Sequence, residues 1–201
     1  MNRVVLASQS PRRKKLLEQI GLSFKVFPSN AKEISSQSDP ALLVEELALL
    51  KAEDVSTAHP ESFIIGADTV VVHKDEIIGK PKDKDEAFEI LSSLSNSTHS
   101  VFTGVAFVKS HKRGHIVSRN SFHEQTKVTF SALREVDIHD YIETGNPMDK
   151  AGAYGIQDDL GALFVERIEG DYYNVVGFPL NRFYRELKLF APEMTLIPHN
   201  L

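Results

Sequence analysis

The run FIIGADTVVV, Phe63 to Val72, limits what this chain can fold into more than any other stretch. Its ten residues contain one ionisable side chain, Asp68, and it stands in the middle. The run reads as a long strand. The HKDE that follows turns it into EIIGKP, which makes a hairpin. Alternation places Asp68 on one face with Ile64, Gly66, Val70 and Val72, and Thr69 on the other. An unpaired buried carboxylate is expensive, so Asp68 needs a cation or hydrogen-bond donors, or it stays protonated. A structural aspartate bonded to nearby backbone is the plainer alternative. Gly66 leaves room for a ligand to approach the backbone.

The rest of the chain supplies strands and helices in mixed order. Val4 to Ala7 reads as a buried strand, and Pro11 to Ile20 as a helix with Ser10 as N-cap and Gly21 as stop. LSFKVF is a second strand candidate, and residues 29–39 form a polar loop. Asp39-Pro40 opens a helix with apolar Leu42, Leu43, Leu47 and Leu50, running to about Val55. Asp83 and Glu86 make a capping box for a helix through Leu94. Ser100 to Lys109 and Ser118 to Phe130 are two more strands, turning at HKRGH. Asp137 starts a short helix that Gly145 ends, and Pro179 at the first helical position opens the last one. Residues 191–201 read as a loose tail. The pattern predicts an α/β fold on a mixed sheet, because strands and helices do not alternate strictly.

A chain of 201 residues suffices for one domain, or one domain with two lobes. The net charge of −5 argues against general nucleic-acid binding, which favours a basic surface. The absence of cysteine removes disulfides, thiolate nucleophiles and cysteine zinc sites. The first residues lack the long apolar core of a signal peptide, and no apolar run approaches the roughly 20 residues of a membrane span. The expectation is a cytoplasmic protein with no membrane or nucleic-acid partner.

Three further features carry chemistry. The first turn of the Pro11 helix holds Arg12, Arg13, Lys14 and Lys15, the wrong sign for a helix N-terminus. Arg13 lies along the apolar stripe of Leu16, Leu17 and Ile20, so it projects over the buried end of the helix. It either snorkels to solvent or meets an anion, and a phosphate chain would neutralise both the arginines and the dipole. GKP, Gly79 to Pro81, holds Lys80 between two residues that shape the backbone, yet it is not a Walker A loop. DKAGAYGIQ, Asp149 to Gln157, mixes small residues with functional side chains, as close packing or backbone approach requires. His111 and His115 are separated by KRG, which argues for a turn and against a helical metal pair.

The order SQSPRR, GADTVV, GKP, TGV, EQTKVTF, PMDKAGAYGIQ and GDYYNVVGFP resembles the Maf family, the septum-formation-inhibitor-like nucleotide pyrophosphatases. The resemblance runs from about Leu6 to Leu187, and SPRR, DTV and GIQ are similar to the branch acting on dTTP and UTP. It implies an elongated mixed sheet flanked by helices, with two lobes around a deep cleft, as in the Maf/ITPase-like fold. It implies a single domain over 1–201 and a homodimer. The implied reaction is hydrolysis of dTTP and UTP, with modified pyrimidine nucleotides as an extension, to the monophosphate and pyrophosphate. The implied cofactor is a divalent cation, magnesium or manganese.

Motif by motif, Asp68 matches the catalytic base, Lys51 and Lys80 catalytic cations, and Ser8 and Arg13 substrate-binding positions. Arg12, Thr69 and Gln157 match positions linked to pyrimidine selectivity, and Glu33 and Asp68 match the metal site. The chain departs from the pattern at QDDLG, where a glycine usually follows Gln157, and at Asn146, which replaces a glutamate. The rival readings are a nucleotide-binding regulator of septum formation without turnover, and a phosphohydrolase acting on purine or damaged nucleotides.

Overall fold

The computed structural model describes residues 3–112, 115–158, 160–194 and 196. In chain order the elements are β1 (Arg3–Leu6), α1 (Pro11–Gln19), β2 (Lys25–Val26), α2 (Pro40–Ala58), β3 (Ser62–His73), β4 (Glu76–Ile78), α3 (Lys84–Leu94), β5 (Thr98–Ser110), β6 (Ile116–Phe130) and α4 (Glu135–Glu143). Two 3-10 turns follow, Asn146–Asp149 and Ala151–Ala153, and then α5 (Gly161–Phe164), β7 (Val165–Glu169), α6 (Tyr172–Val176) and α7 (Leu180–Phe190). Among the described residues the strands form a seven-stranded sheet in the order β2-β1-β3-β5-β6-β7, with β4 paired to β3. β1 runs parallel to β2 and β3, while the β3·β4 and β6·β7 pairs are antiparallel. The sheet is therefore mixed, as the element order predicts.

The chain divides into two compact units. One takes the chain up to Asp68, Thr103–Glu124 and the chain from Gly177 on; the other takes Thr69–Phe102 and Gln125–Val176. In the first unit, Ile64, Ala106 and Val108 of the sheet pack with Ala48, Ala52 and Val55 of α2. Phe63 and Phe107 pack with Phe190 of α7. In the second unit, Leu91 and Leu94 of α3 and Ile138, Tyr141 and Ile142 of α4 share a core with Val101, Val128 and Phe130.

α2 starts where Asp39 accepts hydrogen bonds from the Ala41 and Leu42 amides at 2.8 and 3.1 Å, which satisfies donors the helix leaves unpaired. Its buried face differs from the expected leucine stripe: Leu42 is exposed, and Val44, Leu47, Ala48, Ala52 and Val55 point inward. The cause lies in two glycines. A Cβ on Gly66 of β3 would stand 2.1 Å from the Ala48 carbonyl oxygen, and one on Gly104 of β5 would stand 2.2 Å from that of Val44. The helix backbone rests directly on the sheet, so its small residues face in. The room at Gly66, expected for a ligand, is taken by α2.

Other boundaries shift by a few residues. α4 begins at Glu135, with Arg134 as a cap that makes no side-chain bond, and α7 begins at Leu180 with Pro179 as its cap. Asp83 accepts from the Glu86 amide at 2.8 Å, but the Glu86 carboxylate takes the Lys82 amide at 2.7 Å, so the capping box closes one residue early. α6 and the 3-10 turns arise in stretches read as loop. Residues 113 and 114 of the HKRGH turn lie outside the described residues. So do 195 and 197–201 of the expected tail, whereas Ala191 is fully buried and its carbonyl accepts from the Met194 amide at 2.9 Å. No described helix is long and apolar enough to cross a membrane.

Candidate functional site

Three expected site residues meet in the first unit. Lys51 lies on the α2 stripe that contains Val44, Ala48 and Val55, so it points with them toward β3. Its Nζ lies 2.6 Å from Asp68 Oδ1 and 2.9 Å from Glu33 Oε1. The Lys51 and Asp68 side chains are 14% and 11% exposed, and that of Glu33 is 54% exposed. The acid inside the apolar strand thus has its cation, supplied by the helix that the two glycines admit. Glu33 comes from the polar loop and meets Lys51 from the solvent side.

Arg13 is bound into the protein's own backbone beside this cluster. Its guanidinium donates to the Gly177 and Ala67 carbonyls, each at 3.0 Å, and to Ser8 Oγ at 3.2 Å. Ser8 Oγ also accepts from the Ser10 amide at 3.2 Å. The side chain ties the β1–α1 connection to the residue before Asp68 and to the GFP segment. Burial pulls its pKa below the ordinary arginine value, and the charge of Asp68 opposes that shift. The cation needing an anion finds carbonyl oxygens and a carboxylate field, so Arg13 fixes the backbone at Asp68. Arg12, on the same turn, is partly exposed. The cap of α1 is Ser10, whose side chain accepts from the Arg13 amide at 3.4 Å.

The remaining expected residues belong to the second unit. Thr69 follows Asp68 on β3 and is partly exposed. Lys80 is exposed beyond β4, and the preceding Gly79 carbonyl accepts from the Gly152 amide at 3.0 Å. That bond joins the GKP and DKAGAYG segments. Gly152 has φ +73°, and a Cβ there would press on Val71 at 2.8 Å, so this crossing requires glycine. Gln157 is exposed.

One polar cluster escaped the sequence reading. The Lys150 Nζ meets Asp149 Oδ1 at 2.7 Å, Asp158 Oδ2 at 3.1 Å and the Asn146 carbonyl. Tyr141 OH donates to Asp158 Oδ2 at 2.8 Å and accepts from the Gly155 amide at 3.0 Å. Burial, followed by the Asp158 bond, pushes the Tyr141 hydroxyl pKa up. The signal available was the acid after Gln157, where the resembled pattern has glycine.

Asp68 and Glu33 are hard oxygen donors of the kind that suit magnesium or manganese. No group of three or more histidine, aspartate or glutamate side chains that could hold a metal occurs among the described residues. A cation held by these two carboxylates alone would take the rest of its shell from phosphate and water, as magnesium commonly does.

The Maf-like protein family matches residues 3–190. This chain belongs to that family. A dTTP/UTP pyrophosphatase of Lachnoclostridium phytofermentans is 47% identical over 195 residues, covering 96% of this chain and 98% of the relative. A dTTP/UTP pyrophosphatase of a Geobacillus species is 51% identical over 189 residues, covering 94% and 98%. The structure of a HAM1 protein from Coxiella burnetii superposes with a TM-score of 0.52 at 15% identity, covering 94% of this chain and 100% of that one. This likeness concerns the fold: a mixed sheet with flanking helices.

Proposed function

We propose that this chain is a nucleotide pyrophosphatase that hydrolyses dTTP and UTP to the monophosphate and pyrophosphate. The observation that carries the reading is Lys51 held between Asp68 and Glu33 on a packed helix–strand contact. The names of the relatives supply the substrate class. A buried carboxylate gripped on one oxygen is fixed in orientation. Its other oxygen is the one we assign to the attacking water. Asp68 takes a proton as the water oxygen bonds to the α-phosphorus, and the bond from that phosphorus to the bridging oxygen breaks, releasing pyrophosphate.

Charge balance supports a divalent cation. Arg13 and Lys51 already face Asp68 and Glu33, two cations against two carboxylates. An anionic triphosphate exceeds what such a matched set can neutralise. Magnesium or manganese at Glu33 and Asp68 would supply that compensation and polarise the phosphoryl oxygens. Lys80 and Arg12 add positive charge for the phosphates. Thr69 and the carboxamide of Gln157, which offers both donor and acceptor, suit a pyrimidine edge. These assignments, a cytoplasmic location and a homodimer rest on the family resemblance.

The test is pyrophosphate release from dTTP and UTP. Turnover should vanish with excess chelator and return with magnesium or manganese. Full activity in chelator would remove the cation from the mechanism, and no release from either nucleotide under any metal would overturn the reading itself.

A further inference from the structure

We infer that Lys150 and Asp158 are positioning residues for base selectivity: their ion pair, with Tyr141, holds the turn that presents Gln157. The inference rests on the base-reading role proposed above for Gln157. Gln157 is exposed and stands third in a four-residue turn, which the Asp158 amide closes on the Gly155 carbonyl at 3.0 Å. Both ends of that turn are pinned by one hydroxyl: Tyr141 OH takes the Gly155 amide and donates to Asp158. Lys150, with its side chain 8% exposed, anchors the same carboxylate oxygen. The Asp158 carbonyl in turn accepts from the Ala162 amide at 2.8 Å, fixing the exit from the turn to α5.

The fit leaves no room for a side chain at the turn's first residue. A Cβ on Gly155 would lie 2.5 Å from Asp158 Oδ2 and 2.7 Å from Lys150 Cε. The arrangement does not reach Gln157 through its own side chain. It fixes the backbone on both sides and leaves the carboxamide exposed. Selectivity by an amide depends on where its donor and acceptor stand, because a displaced amide loses both bonds to a base edge. Charge attraction to phosphate tolerates displacement far better, since it falls slowly with distance. Loosening the turn should therefore reduce discrimination more than turnover of poor substrates.

The experiment measures kcat/KM for dTTP, UTP, CTP, ATP and GTP with Asp158→Ala, Asp158→Asn and Gln157→Ala, and thermal melts of each. Asp158→Ala should lower dTTP and UTP by about tenfold and leave ATP and GTP within about twofold, the signature of a lost oriented contact. Asp158→Asn keeps an acceptor for Tyr141 and weakens the Lys150 pair, so it should fall between. It also decides the matter if the alanine variant does not fold. Equal losses across all five nucleotides, or none, would overturn the positioning role. A selective loss in Gln157→Ala with silent Asp158 variants would overturn this inference alone. Parallel losses in Gln157→Ala would remove the base-reading role and the inference with it.

Discussion

Lys51, largely enclosed, and Lys150, buried, are both cations with two carboxylate partners, yet their surroundings differ. Lys51 bridges Asp68 and Glu33, and Glu33 is more than half exposed. Lys150 meets Asp149, Asp158 and a main-chain carbonyl, and Asp158 is tied further to Tyr141. The first arrangement can release a carboxylate oxygen at modest cost, because solvent reaches one side of it. In the second, Asp149 is as open to solvent as Glu33, at 57% against 54% exposed, but the enclosed Asp158 cannot part from Lys150 without leaving buried polar groups unmatched. A reacting site needs the first property and a positioning device needs the second. Lys150 stands in the PMDKAGAYGIQ stretch and Lys51 in α2, and it is their contacts that set the two apart.

The largest effect should come from breaking the open cluster. Asp68→Asn keeps the shape of the side chain and removes its basicity. It should lower kcat by about 10²–10⁴-fold, the usual loss for a general base, with the melting temperature little changed. Wild-type turnover by a folded Asp68→Asn protein would show that Asp68 is held by Lys51 for structure alone.

Next comes the contact that brings Lys51 to Asp68. Gly66→Ala would drive a methyl group into the Ala48 carbonyl, where only 2.1 Å is available. Backbone cannot rotate aside as a side-chain tip can, so α2 must lift from the sheet. We expect a loss of about 1–3 kcal/mol in urea unfolding, as for other overpacked cores, together with reduced turnover. An unchanged unfolding midpoint would mean that α2 does not need the glycine seat. Gly155→Ala is the counterpart in the closed cluster, and there the displaced atoms belong to side chains.

The strand carrying Asp68, its hairpin, the capped α2 and α3 and the mixed sheet were legible in the sequence, because periodicity and cap chemistry are local signals. Asp68 itself was legible as an acid with no local reason to be there. The family resemblance marks Lys51 as a catalytic cation, but its direct pairing with Asp68 was not legible, although Lys51 shares the stripe of Val44, Ala48 and Val55. A lysine on an apolar face reads as a snorkelling side chain until the strand beneath it is known. Gly66 was misread for the same reason: one sequence cannot say whether a gap beside a glycine receives a ligand or a helix. Arg13 was correctly placed over the end of α1, but the carbonyls of Ala67 and Gly177 come from distant segments. The Lys150 cluster depends on Tyr141 and Asp158, which the sequence separates and the tertiary fold joins.

The last comparison tests whether the closed region keeps its polar groups neutral or paired across pH, an effect that vanishes near neutral pH. His99 is buried, with Nε2 2.9 Å from the hydroxyl of Tyr154, a neighbour of Lys150 on the same segment. Burial, helped by the charge His73 would carry, lowers its pKa to about 3. Phe130 packs edge-on against the ring and offers no charge to offset protonation. In the unfolded chain the imidazole protonates near its ordinary value of about 6.5, while the folded one stays neutral until far lower. The unfolded state therefore binds the extra proton between these two values. The contribution of neutral His99 is fully present above the unfolded value and is lost as pH falls toward the folded one. The slope approaches, at most, about 1.4 kcal/mol per pH unit within that window. His99→Gln removes the titration and retains a group that can meet Tyr154. Urea unfolding of both proteins from about pH 7.5 to about pH 4.5 should show the variant losing less stability than wild type as pH falls through this window. Carboxylates titrate in both proteins and cancel in the difference. Curves that stay parallel would mean that His99 charges in the folded state near its ordinary value, and that the region around Tyr154 admits water and a proton as freely as the Glu33 side of Lys51.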